Sequence, residues 1–441
     1  MSQLPRYESY KDSGVQWLGE IPSHWDTTVL KFECDVRDGT HDTPEYVNFD
    51  ENTYPLITSK DLVTGDISFE NLKYISQEDF TQISKRSKVD FGDLLMPMIG
   101  TVGGAVLVKT KELIAIKNVA LFKPTKVSAK WLKYFLDSEL TKIQFDLQKT
   151  GGVQSFVSLG TLRNLRLLKV PLDEQKIIAD FLDKRLAQVD ALIAKQETLL
   201  EKLAEQRVAL ISNAVTKGLN PDVEMKDSGV QWLGEIPNHW KTTRIKFLGD
   251  IVLGLTYSPE DVTTGESGTL VLRSSNVQNG VLTLDDNVYV EKNIPKKMVT
   301  TDQDILICSR NGSRALIGKC ALIEGEGVGQ AFGAFMTVLR SPYRKYLYYV
   351  LSSDLFKYQI GSFLTSTINQ LTTYALGNFE IAFPSVEEQK QITDYLDQEL
   401  AEIEKVKDNI VKTLQTLQEY RSTLITQVVT GKIDVRNLKV N

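Results

Sequence analysis

The chain has 441 residues, room for two to three domains with real apolar cores, and its 42% hydrophobic and 24% charged content is that of a globular protein. No stretch approaches the ~18 consecutive apolar residues of a spanning helix, and Met1–Gly14 has no basic segment followed by an apolar one, so neither a membrane span nor a secretory leader is expected. A net charge of −6 argues against a simple nucleic-acid coat, while three cysteines (Cys34, Cys308, Cys320) without CxxC spacing and three histidines (His24, His41, His239) point to thiols in a reducing cytoplasm and to no metal site.

In chain order, residues 1–25 hold the element Lys11-Asp12-Ser13-Gly14-Val15-Gln16-Trp17-Leu18-Gly19-Glu20-Ile21-Pro22, followed by Ser23-His24-Trp25. Residues 26–170 mix short β-rich runs such as Ala105–Val108 with Gly, Asp and Asn turns, then an apolar-periodic helix over Lys130–Gln148. Residues 171–225 open at Pro171 and carry a long helix in which Leu182, Leu186, Val189, Ile193, Gln196, Leu200, Leu203, Arg207, Leu210 and Ala214 follow heptad spacing, with Gly218 at the stop.

The same order then repeats. Residues 226–240 restate Lys226–Pro237 without a change and continue as Asn238-His239-Trp240. Residues 241–383 form a second, divergent mixed segment, with a helix expected over Tyr343–Ile360. Residues 384–441 repeat the heptad seam as Leu396, Leu400, Ile403, Lys407, Ile410, Leu414, Leu417, Arg421, Leu424 and Val428, with Ser385 and Glu388 as a capping box and Gly431 at the stop. Residues 26–170 hold 19 basic and 19 acidic residues and 241–383 hold 14 and 13, so the acidity sits in the helical segments. The expected fold is α+β: two mixed domains and two long heptad-bearing helices that pack on each other, with an internal two-fold pseudo-repeat.

A search for catalytic motifs yields none. Pro221-Asp222-Val223-Glu224-Met225-Lys226 sets its carboxylates two residues apart in a connector, not on separate strands around a metal. Gly312 to Lys319 fails the P-loop spacing, and HExxH, GxSxG and a helix-opening GxGxxG are absent. The His-Trp pairs read as packing anchors. The divergent segments instead offer polar loops suited to nucleic acid. Thr40 and His41 lie in Asp38-Gly39-Thr40-His41, and Lys60 parallels Arg273, Ser274 and Asn276 in a matched turn. Arg310, Asn311 and Arg314 carry side chains able to grip guanine or adenine edges, and Lys85, Arg86 and Lys88 suit phosphates.

The duplicated KDSGVQWLGEIPxHW element, the Asp38–His41 loop and the Glu174-Gln175 and Glu388-Gln389 openings of the long helices resemble the specificity subunits of type I restriction–modification systems. The resemblance implies a non-catalytic DNA-binding subunit whose two target-recognition domains each read half of a bipartite site, separated by the two long helices as an antiparallel coiled coil that sets the spacer and docks partners. It implies no cofactor on this chain. S-adenosylmethionine is expected on two modification (methyltransferase) subunits, ATP and Mg on the restriction subunits, and double-stranded DNA as the target. Two other classes remain open at this point: a protein-tethering scaffold without DNA readout, and a cryptic DNA methyltransferase.

Overall fold

The computed structural model describes residues 5–63, 65–99, 103–147, 157–264, 268–363 and 369–438. They fall into two compact units, one of Met1–Gln196 with Lys412–Asn441 and the other of Glu197–Val411. Each unit therefore contains one mixed domain, one half of each long helix and one copy of the repeated element.

In the first unit, β1 (Cys34–Asp38), β2 (Tyr54–Ile57), α1 (Gln77–Ser87), β3 (Leu94–Pro97), β4 (Val106–Leu107), β5 (Ala115–Ile116) and β6 (Val119–Pro124) build two sheets. The larger runs β4-β3-β6-β1 and is antiparallel throughout; in the smaller, β5 pairs in parallel with β2. β3 is buried at every position, as a continuous apolar run between two neighbours should be. The first mixed domain is followed in the chain by the first long helix, α2 (Leu172–Lys217).

The second unit repeats the plan with β7 (Asp250–Leu253), β8 (Thr269–Leu272), β9 (Asp304–Cys308), β10 (Cys320–Leu322), β11 (Ala331–Phe332) and β12 (Met336–Arg340), in the sheet order β7-β12-β9-β10, with β8 and β11 parallel. The likeness extends to single groups. Gly39 and Gly254 follow β1 and β7, and a Cβ on either would lie 2.3 and 2.1 Å from the carbonyl oxygens of Ile116 and Gly333, so only glycine allows the chain this approach. Lys123 bridges Asp93 at 2.6 Å where Arg340 bridges Asp304 at 2.7 Å. Burial works against the Lys123 charge, but Asp93 and Asp90 outweigh it and hold its pKa above the ordinary lysine value. The three cysteines are buried and free, and burial pushes the Cys34 thiol up to about 12.

The second long helix, α3 (Val386–Val429), ends the repeat. In the first unit Leu182 and Leu186 share a core with Leu424, Ile425, Val428 and Val429. In the second, Ile211, Ala214 and Val215 share one with Ile392, Leu396, Leu400 and Ile403. The start of α2 thus packs with the end of α3 and the end of α2 with the start of α3, an antiparallel pairing. Trp25 and Trp240 are fully buried in these two cores. Among their partners, the Glu174 carboxylate accepts from Tyr7 Oη at 2.6 Å and Trp25 Nε1 at 3.0 Å and meets His24 Nε2 at 2.9 Å.

Two expected helices are broken. Instead of one helix over Lys130–Gln148 there are two, Ala129–Asp137 and Glu139–Leu147; the final Gln148 lies outside the described residues. Likewise Tyr343–Ile360 becomes Arg344–Ser352 and Asp354–Phe363. Ser138 and Ser353 take extended backbone, and each hydroxyl bonds the carbonyl three residues back at 2.6 Å. Serine offers the backbone this local alternative to the helix ladder.

Candidate nucleic-acid interface

In the first unit the loop after β1 turns back along the β5–β6 connection. Thr40 donates its amide to the Ile116 carbonyl at 3.0 Å and accepts from the Asn118 amide at 3.0 Å. The His41 ring is held at both nitrogens, by Asn118 Oδ1 at 2.9 Å and Asp38 Oδ2 at 3.1 Å. Asp38 is buried, and its other oxygen accepts from Arg86. One carboxylate therefore fixes two of the expected contact residues, His41 and Arg86, while leaving both side chains largely exposed.

Beside this loop lies a groove of about 950 Å³ whose lining includes Lys60, Lys73, Lys117, Tyr46 and Asn118. Lys73 Nζ stands 5.7 Å from the Tyr46 ring centroid, and Lys117 donates to Thr43. Three lysines and an exposed aromatic ring in one groove suit a phosphate backbone with bases beside it. Lys85 and Lys88 lie elsewhere, at the end of α1, where Lys85 donates to Gln82 at 3.0 Å and Lys88 pairs with Asp90 at 2.8 Å.

The second unit gathers its expected residues from two loops. Asn311 Nδ2 donates to Ser274 Oγ at 3.3 Å, bringing together the turns after β8 and β9. Arg310 is exposed and its guanidinium lies 5.1 Å from the centroid of the exposed Phe335 ring. Arg314 is exposed and donates to the Gly361 carbonyl at 3.1 Å. Arg273 is half-buried and spends its Nη2 on Asp286, reaching its carboxylate at 3.0 Å.

Asn276 is a correction. Its side chain is fully buried: Oδ1 accepts from the Arg273 amide at 2.9 Å, and Nδ2 donates to the Thr283 carbonyl at 3.0 Å. It stabilises the turn, as Asp61 does in the first unit through the Thr58 amide at 2.8 Å, and has no edge left for a base. Conversely, sequence reasoning passed over Tyr46, Lys73, Lys117, Asn118 and Phe335. Asn118 left one signal: an Asn between two β-rich runs suits the left-handed backbone it adopts at φ 54°.

The heptad positions are placed as follows. Leu182, Leu186, Val189, Leu396, Leu400, Ile403, Ile410 and Leu424 are buried, and Ile193, Leu200, Leu203, Leu210, Leu414 and Leu417 are half-buried. Among the described residues, no group of three or more His, Cys, Asp or Glu side chains could hold a metal ion, and no helix is long and apolar enough to cross a membrane.

A family model described as the type I restriction modification DNA specificity domain matches residues 23–202 and again 237–413. The chain is 24% identical over 410 residues to the type I restriction enzyme MjaVIII specificity subunit of Methanocaldococcus jannaschii, covering 89% of this chain and 92% of that one. It is 27% identical over 207 residues to the EcoKI specificity subunit of Escherichia coli, covering 45% of this chain and 44% of that protein. Its fold is similar to that of a chain from a solved type I restriction–modification system (TM-score 0.73, 16% identity, 94% of this chain and 99% of the other). It is also similar to the HsdS subunit of Thermoanaerobacter tengcongensis (TM-score 0.52, 15% identity, 94% and 98%). Two copies of one domain, matched by the family model across most of the chain, identify the protein as a member of the type I restriction–modification DNA specificity family, a non-catalytic DNA target-recognition subunit.

Proposed function

We propose that each unit reads one half of a bipartite, asymmetric DNA site, and that α2 and α3 set the spacer and dock two modification subunits. The observation that carries this reading is one scaffold built twice with different chemistry at its loops. The first unit offers Lys60, Lys73, Lys117 and His41 around a groove; the second offers Arg310, Asn311 and Arg314. Unlike side chains on the loops of one repeated scaffold would select different bases.

The helices have the length for the task. At about 1.5 Å per residue, the 46 residues of α2 extend about 69 Å, longer than one ~34 Å turn of duplex. S-adenosylmethionine belongs on the modification subunits, and ATP and Mg on the restriction subunits; this chain contributes the address. Single-molecule sequencing of methylated bases in a host carrying the complete system tests the reading. The expected result is one motif of two unlike specified parts separated by unspecified pairs, and a continuous motif would contradict it.

A further inference from the structure

One surface feature recurs in both units, and its exposed ring belongs to neither core. Near the start of each domain a short strand, Asp26–Val29 or Lys241–Arg244, leads into a single turn of 3-10 helix, Leu30–Phe32 or Ile245–Phe247. Leu30 and Ile245 are buried and anchor the turn, as the cores require. Phe32 and Phe247 point the other way and are 59% and 72% exposed. The lysine before each ring lies over it, Lys31 Nζ at 5.4 Å and Lys246 Nζ at 5.3 Å from the centroid. Each lysine also donates to an asparagine, Lys31 to Asn164 Oδ1 at 3.1 Å and Lys246 to Asn378 Oδ1 at 2.8 Å. Both asparagines in turn donate 2.9 Å bonds to carbonyls of the preceding short helix, at Gly160 and Tyr374.

A lone exposed phenylalanine needs no explanation. The same exposed ring kept on both domains does: Lys31-Phe32 and Lys246-Phe247 continue the duplicated His-Trp-x-Thr-Thr frame, while the loops at the far end of the sheet diverge. Residues that read unlike half-sites should differ between units; what is kept must serve something common to both. The knob also stands at the opposite end of β1 and β7 from the loops at Gly39 and Gly254, a five-residue strand or about 17 Å away in the first unit. An apolar ring beside a fixed ammonium complements an apolar socket with a carboxylate at its rim, and its place at the other end of the strand from the reading loops favours such a protein socket over the duplex.

We infer that Lys31-Phe32 and Lys246-Phe247 are two equivalent docking knobs, each received by one copy of the same protein, the modification subunit. The inference rests on reading the chain as a subunit that carries two such copies. Burying an exposed phenylalanine contributes about 1.5–3 kcal/mol, or roughly a ten- to hundred-fold in affinity.

The test uses the full chain with its modification subunit and reads stoichiometry by native mass spectrometry across a dilution series. Phe32→Ala and Phe247→Ala are each expected to leave a complex with one modification subunit at concentrations where the wild type holds two, and the double variant to hold none. Both rings are exposed, so the fold is retained; Lys31→Glu and Lys246→Glu are expected to act in the same direction. A double variant that binds two copies with wild-type affinity would overturn the inference. So would variants that assemble normally but lose affinity equally on every DNA sequence, since that marks a phosphate contact. A wild-type complex that assembles through these knobs yet methylates a continuous site would defeat the bipartite reading and leave this surface standing.

Discussion

The backbone amide of Glu139 donates to the hydroxyl of Thr426 at 3.0 Å, joining residues 287 apart in the chain. The second unit makes the same bond from the Asp354 amide to Ser212 Oγ at 3.1 Å. Each broken helix thus starts its second half on a hydroxyl of a long helix, which satisfies an N–H that has no partner within its own helix. In the first unit that long helix comes from the far end of the sequence, so the first recognition domain is completed by the last residues of the chain.

Deleting residues 412–441 is therefore expected to damage the first unit and spare the second. Leu424, Ile425, Val428, Val429, Ile433 and Val435 belong to the core around Trp25. Amide hydrogen exchange should rise through residues 26–170 and stay near wild type in Glu197–Val411. Equal loss in both units would show that the division is wrong.

Gly431→Ala tests the same junction with one methyl group. Gly431 has φ 69°, and a Cβ there would lie 2.5 Å from the Pro22 ring and 2.9 Å from Trp25. Left-handed strain and this clash together should cost about 1–3 kcal/mol. Gly218→Ala meets Trp240 at 3.2 Å and should cost less. Denaturant midpoints of the two variants check the order.

Arg310→Ala is expected to weaken specific binding by about 1–3 kcal/mol if its guanidinium, held over Phe335, grips a guanine edge. Arg314→Ala is expected to lose less, because its guanidinium already donates to the Gly361 carbonyl. Binding isotherms on the cognate site and on a half-site substitution separate base contact from phosphate contact, which would weaken all sequences alike and flatten the salt slope. Wild-type affinity in both variants would remove this loop from the interface.

The repeat and the heptads were legible because they are periodic, and periodicity survives in one dimension. The breaks at Ser138 and Ser353 were not, since a serine between apolar-periodic stretches fits a continuous helix until its hydroxyl is seen on the carbonyl three residues back. The groove of the first unit was hidden because Tyr46, Lys60, Lys73 and Lys117 come from separated segments and meet only in the fold. Asn276 misled for the complementary reason: its residue type suits a base edge, but composition does not reveal which way an amide points.

Inserting one heptad after Leu203 and one after Leu417 keeps the seam in phase and lengthens the paired helices by about 10 Å. The spacer between methylated half-sites is expected to grow by about three base pairs, with the specified bases unchanged. An unchanged spacer would mean that partner subunits, not these helices, set the distance.

The central claim is that each unit reads its own half-site. Replacing residues 26–170 with the corresponding segment of a specificity subunit of different target, and mapping methylated adenines in a host carrying the complete system, tests it most directly. The motif is expected to change in one half and keep the other half determined by residues 241–383. A motif changed in both halves, or in neither, would contradict the account.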